Sequence, residues 1–224
     1  MNLTPLLIFH ITAGGVALTA GATALLAQKG AWLHRTAGNA FFIAMLLMAV
    51  AGGTLAVLKP AAAAFNVIIS AITIYMIATS WMTATRGDKQ TGPFDTFACF
   101  AAFAIAGGAV LLGAQAMGNP KGAIPAALFF SFAAIAGMAA LADVSVIMRG
   151  GVSGPQRIAR HLWRMTLAMF LATLAFFVGQ GAKIFPPEIR AMGLLPVPML
   201  VVLALMLFWL WRVLFTNWWR QHSQ

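Results

Sequence analysis

The sequence contains little charge, and negative charge is especially rare. Only 8% of the 224 residues are Asp, Glu, Lys or Arg, whereas a soluble domain usually carries about 25%. Hydrophobic residues make up 62% of the chain, and the mean hydropathy is +0.90. This composition excludes a water-soluble globule. It predicts a single membrane domain over residues 1–224, with no room for a second, soluble domain.

Motifs for covalent or metal chemistry are also missing. Cys99 is the only cysteine, so an intramolecular disulfide is excluded, and no CxxC or mixed Cys/His metal motif occurs. The sequence has no evident Ser-His-Asp arrangement and no glycine-rich phosphate loop. Whether the protein is an enzyme is therefore left open by the sequence.

The chain does contain seven long apolar segments. A spanning helix needs roughly 20 mostly apolar residues. Segments of this kind run approximately over 5–28, 36–58, 61–85, 95–117, 124–148, 161–183 and 194–215. The breaks between them are short and polar or rich in Gly and Pro, so successive helices are expected to be antiparallel neighbours. We predict an all-α integral membrane protein with seven transmembrane helices.

Positive charge predicts the orientation of these helices. The chain has 14 Lys+Arg against 4 Asp+Glu, a formal net charge of +10. The side that carries the loops after helices one, three and five holds Lys29, Arg35, Arg86, Lys89, Arg149, Arg157, Arg160, Arg164, Arg212 and Arg220. The other side holds Lys59, Lys121, Lys183 and Arg190. Since basic loops stay in the cytoplasm, we predict an outside N-terminus and a cytoplasmic C-terminus, and we expect no nucleic-acid partner. All seven tryptophans lie near the same basic ends.

The stretch RIARHLWR places four basic residues on one helical face. They fall at i, i+3, i+4 and i+7: Arg157, Arg160, His161 and Arg164. Such a stripe at a membrane edge has two interpretations. It is either a set of topology anchors or the rim of an anion site.

Six residues near the cytoplasmic face form a candidate ligand-binding site by their common depth. They are His34, Arg35, Asn39, Asp143, His161 and Arg164. Ionisable groups inside a span are costly, so each needs a partner or a role. Asp143 is therefore either paired with an arginine such as Arg164 or Arg35, or it carries a proton or a ligand.

Lanes of small residues predict which helix faces pack closely. One lane lies in each of helices one, five and six: Ala13, Ala17 and Gly21; Ala133, Ala136 and Ala140; Ala168, Ala172, Ala175 and Gly179. Close backbone approach through such lanes holds a membrane bundle together, although a lane also leaves space for a flat ligand. His10 stands alone in helix one, and we expect it to hydrogen-bond across a packed interface and not to bind a metal.

Two short blocks resemble a known family. KGAWLHRTAGNAFFIAMLLMA is similar to the KG-x-x-x-HR-x-x-G block of an uncharacterised group of bacterial multi-pass membrane proteins, the domain-of-unknown-function type numbered twenty-three-zero-six. RHLWRM resembles the second block of that group, although the order from His161 to Met165 departs from it. The resemblance implies a bacterial inner-membrane location and no agreed activity.

Four functions are compatible with these features. His34 and His161 could ligate the iron of haem b for electron transfer, with arginines bonding to the haem propionates. Helices one-two and five-six each place a histidine after a cytoplasmic turn, a faint repeat that favours a small-molecule transporter. A third hypothesis is an enzyme that acts on lipid head groups or quinones. A fourth is a structural partner whose basic stripe contacts anionic lipid of the bilayer.

The predicted topology is testable with reporter fusions. A reporter fused after Gln224 should behave as cytoplasmic, and one inserted near Asn119 should behave as external, because the basic loops are retained inside. Alkaline phosphatase and green fluorescent protein fusions measure the two sides. The reverse pattern at both positions would contradict the predicted orientation.

Overall fold

The computed structural model describes residues 3–59, 63–118 and 124–216, and this part of the chain is helical without strands. The helices are α1 Thr4–Leu26, α2 Trp32–Leu58, α3 Ala63–Thr85, α4 Pro93–Met117, α5 Ala126–Met148, α6 Gly154–Leu174, α7 Gly181–Ile184, α8 Pro187–Ala191 and α9 Val197–Phe215. Seven of them, α1 to α6 and α9, are long and apolar enough to cross a membrane. The predicted class, an all-α multi-pass membrane protein, is confirmed at this level.

Some residues on which the predicted topology depends fall outside the described residues. They are Asn119, Lys121, Trp218, Trp219, Arg220 and Gln224.

Helix α6 begins at Gly154, well before the predicted start of its span near His161. Ser153 precedes it in an extended conformation, and Pro155 occupies the first turn, where its missing N–H costs nothing. A search for apolar residues misses such a polar first turn. As a result, the whole basic stripe from Arg157 to Arg164 lies on helix and not in a loop.

The other end of α6 is interrupted. A π-helical turn, Ala175–Gly179, follows Leu174 and leads into the short helices α7 and α8. The predicted small-residue lane is therefore wrong beyond Ala172, because Ala175 and Gly179 are exposed. A π turn takes more residues than an α turn, so it rotates the following side chains off the packed face.

Helix α3 is the centre of the bundle. It packs against α2, α4, α5 and α6, and half of its apolar window is buried inside the bundle. The predicted lanes of α1 and α5 are buried, with Ala17, Ala136 and Ala140 fully enclosed. Their close approach accounts for the two tightest helix pairs, α1 with α2 and α4 with α5.

Helices α5 and α6 are an exception to the expected packing of successive helices. They do not pack closely, and α6 lies mainly against α3 and α9. The turn between them is short, but two long arginine side chains of α6 extend toward α5 and occupy the space between the helices.

The α3–α4 and α5–α6 turns meet at what we call the basic end of the bundle, which also includes the α1–α2 turn and the end of α9. The Lys89 N–H donates to the Val152 carbonyl at 3.1 Å. Gly151 has φ +122°, and a Cβ there would lie 2.5 Å from the Gln90 nitrogen. Only glycine allows the two turns to approach this closely.

Gly151→Ala should destabilise the protein more than Gly150→Ala. Gly150 also has a left-handed backbone, φ +67°, but open space surrounds it, so we expect a cost of about 1 kcal/mol there. At Gly151 the new methyl group meets the backbone of the other turn, and overpacking adds about 1–3 kcal/mol. Thermal unfolding in detergent measures both variants, and equal losses would contradict the close approach.

Candidate functional site

The six candidate site residues separate into two neighbouring groups near the basic end. His34, Arg35, Asn39 and His161 line a cavity, whereas Asp143 and Arg164 belong to a buried ion cluster. Each group has one member on α6, and these two residues, His161 and Arg164, have different neighbours.

The cavity lies between α1, α2, α3, α6 and α9 and has a volume of about 560 Å³. That volume is within the range of small-molecule and cofactor sites, about 300–1,000 Å³. Its walls are mostly apolar and include small residues such as Gly21, Ala24 and Gly38. Helices α2 and α6, which carry the two histidines, do not pack closely, and the cavity lies between them.

His34 is held in one orientation by the end of α1. It lies in the first turn of α2, and its Nδ1 atom is 2.9 Å from the carbonyl oxygen of Ala24. A carbonyl only accepts hydrogen bonds, so Nδ1 carries the proton and donates it. Nε2 of His34 is therefore left with a free lone pair.

His161 is held in the same way by α3. The Ser80 hydroxyl donates to the His161 carbonyl at 2.9 Å, and its oxygen lies 2.9 Å from Nδ1 of the ring. The Ser80 carbonyl is 3.4 Å from the same nitrogen. Because both neighbouring oxygens are then acceptors, Nδ1 is again the protonated nitrogen, and Nε2 again carries the lone pair.

Both Nε2 atoms are available to a ligand. Among the described residues, neither Nε2 atom forms a hydrogen bond. Neither belongs to the fully buried atoms that lack a partner, so both can be reached from the cavity. Metal-binding histidines have this arrangement, with one nitrogen on the metal and the other donating to an oxygen of the protein. Two lone pairs repel a bare anion. The pair therefore suits a metal ion or a hydrogen-bond donor.

The rim of the cavity is positive. Arg35 is exposed there, and the Lys29 ammonium donates to the Leu25 carbonyl at 2.5 Å while lying 5.0 Å from the ring centre of Trp209. Partial burial lowers the pKa of Lys29. None of the described lining residues is Asp or Glu. An anionic group of a ligand would therefore be attracted to this rim.

Asp143 is fully buried and joins three helices. Its Oδ1 atom accepts from Nη2 of Arg160 at 2.7 Å and from Nη2 of Arg164 at 2.6 Å. Its Oδ2 atom accepts from the Tyr75 hydroxyl at 2.5 Å. The predicted pairing of Asp143 with Arg164 is confirmed, whereas Arg35 has no part in it.

The cluster extends toward the basic end. Arg160 lies 4.0 Å from Asp95, which also pairs with Arg86. We call Arg86, Asp95, Asp143, Arg160 and Arg164 the ion cluster. The guanidinium of Arg164 lies 5.2 Å from the ring centres of both Tyr75 and Trp163, which gives it cation–π contacts on two sides.

The residues of the basic stripe have different roles. Arg160 and Arg164 face Asp143, and His161 lines the cavity. Arg157 donates from Nε to the Thr83 carbonyl at 2.9 Å and pairs with Asp88. It therefore caps the end of α3 in addition to carrying charge, so the stripe is more than a set of topology anchors.

Sequence reasoning missed three functional neighbours. Arg160 was recognised only as part of the stripe, and Tyr75 and Ser80 were not recognised. A usable signal existed for Tyr75, which is the only tyrosine of the chain and lies within a span. No sequence pattern distinguishes Ser80 from the other hydroxyl residues of α3.

His10 lies outside the cavity and contacts α2, and the predicted hydrogen bond across a packed interface is confirmed. Its Nδ1 atom is 2.9 Å from the Met48 carbonyl, and its ring packs on Gly52 of α2. Among the described residues, no three His, Cys, Asp or Glu side chains converge as they would around a protein-bound metal ion. A metal at the cavity would therefore need other ligands in addition to the two histidines, such as a macrocycle.

Comparison with protein-family models, curated proteins and solved structures finds no match to this chain. The fold, with seven helices long and apolar enough to cross a membrane, defines the class of the protein as a multi-pass helical membrane protein.

Asp143→Asn should destabilise the bundle strongly. The change leaves two buried guanidiniums without their shared counter-charge, and breaking a buried pair costs about 3–5 kcal/mol. Asp88→Asn is the matched control, because Asp88 pairs with Arg157 at an exposed position and such pairs contribute about 0–1 kcal/mol. Unfolding in mixed detergent micelles measures both, and a mild effect at Asp143 would contradict the bridging role.

Proposed function

We propose that the protein binds haem b in the cavity at its basic end, with Nε2 of His34 and of His161 as the axial ligands, and that it transfers electrons. The observation that carries the proposal is that His34 of α2 and His161 of α6 line one cavity, each with an Nε2 atom that no protein group occupies. Each is held by a hydrogen bond from its own Nδ1 to the protein.

The rest of the cavity suits the other parts of the cofactor. Its apolar walls and small side chains leave room for a flat macrocycle. Lys29 and Arg35 at the rim are suited to the two propionates, which need charge-assisted hydrogen bonds. The cavity thus offers two nitrogen ligands for a metal inside and positive charge at its mouth. A simple anion would be attracted by the positive charge only, since the nitrogen lone pairs repel it.

Two axial histidines favour electron transfer over catalysis at the iron. Haem supplies a one-electron carrier whose potential depends on its ligands and surroundings. If His34 and His161 both held the iron, they would leave no open position on it for a substrate. The role of this chain is then to hold the cofactor, orient both imidazoles and exclude water.

The cellular setting belongs to the same proposal. The excess of Lys and Arg supports placing the basic end and the cavity on the cytoplasmic side of a bacterial inner membrane, next to anionic lipid. Membership of the uncharacterised bacterial family is part of the same proposal. The two blocks that resemble that family contain His34, Arg35 and His161, which line one cavity.

A transporter of small anions is the second candidate. The interruption of α6 after Leu174 favours it, because transporters often use broken helices. In those proteins the break surrounds the binding site. Here the π turn begins roughly 21 Å along the helix from His161 and about 9 Å beyond Met169, at the rise of an α-helix. Met169 is the last residue of α6 in the cavity lining, so the interruption does not surround the cavity. This separation favours the haem proposal.

The test is a spectrum of the protein purified after haem-replete expression. We expect a Soret band from the porphyrin, and a low-spin ferric signal in electron paramagnetic resonance from two histidine ligands. His34→Ala and His161→Ala should each remove the low-spin signal and most of the bound haem.

His10→Ala is the matched control. His10 is also a histidine in a span whose Nδ1 faces a backbone carbonyl, but it lies outside the cavity, so haem content should be unchanged. Absence of a Soret band in the unmodified protein would overturn the proposal. Equal haem content in all three variants would overturn the assignment of the ligands.

A further inference from the structure

We infer that the ion cluster acts as a fixed positive charge beside the cavity and stabilises the reduced form of the bound haem. This inference rests on the proposed function, and it concerns residues that do not line the cavity. It makes Arg160 and Arg164 electrostatic tuning residues and not ligands.

The charge of the cluster does not balance. Three guanidiniums, from Arg86, Arg160 and Arg164, share two carboxylates, from Asp95 and Asp143, which leaves one net positive charge. Four of these five side chains are almost completely buried. The charge is therefore screened little by water or salt.

Further hydrogen bonds compensate the excess charge only in part. Nη1 of Arg160 donates to the Thr83 hydroxyl at 2.6 Å, and Nη2 of Arg164 lies 3.5 Å from the Ala139 carbonyl oxygen. Nε of Arg160 and both Nε and Nη1 of Arg164 are buried without an acceptor among the described residues. Buried donors in native proteins usually have partners. Three unpartnered donors on two adjacent guanidiniums indicate a region that lacks negative charge.

The cluster lies next to the proposed ligand. Arg160 directly precedes His161 on α6, and Arg164 follows one turn later. On α3, Tyr75 contacts the cluster and Ser80 contacts His161. Helices α3 and α6 thus carry both contacts to the cluster and the hydrogen bonds that hold one proposed ligand.

The sign of the effect follows from Coulomb's law. Reduction of ferric to ferrous haem adds one electron, which an added chemical reductant such as dithionite supplies in a redox titration. No bond breaks, so the haem becomes more negative by one unit. A nearby positive charge stabilises that state. For a unit charge about 12 Å away at an effective dielectric constant of about 20, the ratio of reduced to oxidised haem changes roughly tenfold.

The experiment measures the midpoint potential by redox titration of purified haem-loaded variants. Arg160→Gln removes one positive charge and leaves the Arg164–Asp143 pair, so we expect a lower potential. Asp95→Asn removes one negative charge while keeping the side-chain shape, so we expect a higher potential. At a fixed applied potential, the ratio of reduced to oxidised haem should change roughly tenfold in each variant.

Two controls separate charge from structure. Arg160→Lys keeps the charge and should keep the potential, even if its geometry is less favourable. Arg149→Gln removes a positive charge at an exposed position and should leave the potential unchanged because water screens it.

Shifts of opposite sign in Arg160→Gln and Asp95→Asn support the inference, since a purely structural role would not reverse sign. Equal potentials, or shifts in one direction, overturn it while haem binding stands. If Arg160→Gln does not fold, the midpoint potential of Asp95→Asn alone tests the inference, and it is expected to be higher than in the unmodified protein. Absence of haem from the unmodified protein overturns the proposed function itself.

Discussion

The organisation of the basic end depends on the carboxylate of Asp143. It accepts hydrogen bonds from Tyr75 of α3 and from Arg160 and Arg164 of α6, and so it ties three helices together inside the membrane region. An unpaired charge there is costly, whether carboxylate or guanidinium. The helices must therefore stay in the arrangement that keeps these groups together.

This bridge also decides where His161 lies. Successive residues of an α-helix are about 100° apart around its axis. Once Arg160 is turned toward Asp143, the next residue faces a different neighbour, which is Ser80 on α3 and the cavity beside it. Two consecutive residues of α6 thus have different environments. Arg160 forms a buried ion pair with α5, and His161 contacts α3 and keeps an accessible nitrogen.

The opposite wall of the cavity depends on the turn between α1 and α2. The Ala24 carbonyl, near the end of α1, accepts from His34 at 2.9 Å and from Lys29 at 3.3 Å. The C-terminal end of α1 therefore orients an imidazole inside the cavity and holds a cation at its rim. Unsatisfied carbonyls at a helix C-terminus are suited to both donors.

The sequence by itself determined the class and the number of spans, because seven apolar segments of sufficient length can satisfy their backbone groups in lipid only as helices. It also required either a partner or a functional role for Asp143, since an isolated charge there is too costly. Only the tertiary structure decided that Arg160 shares this carboxylate, that Ser80 orients His161, and that α5 and α6 stand apart. The physical reason is that periodicity specifies the depth and the face of a residue on its own helix, whereas contacts depend on which helices pack together.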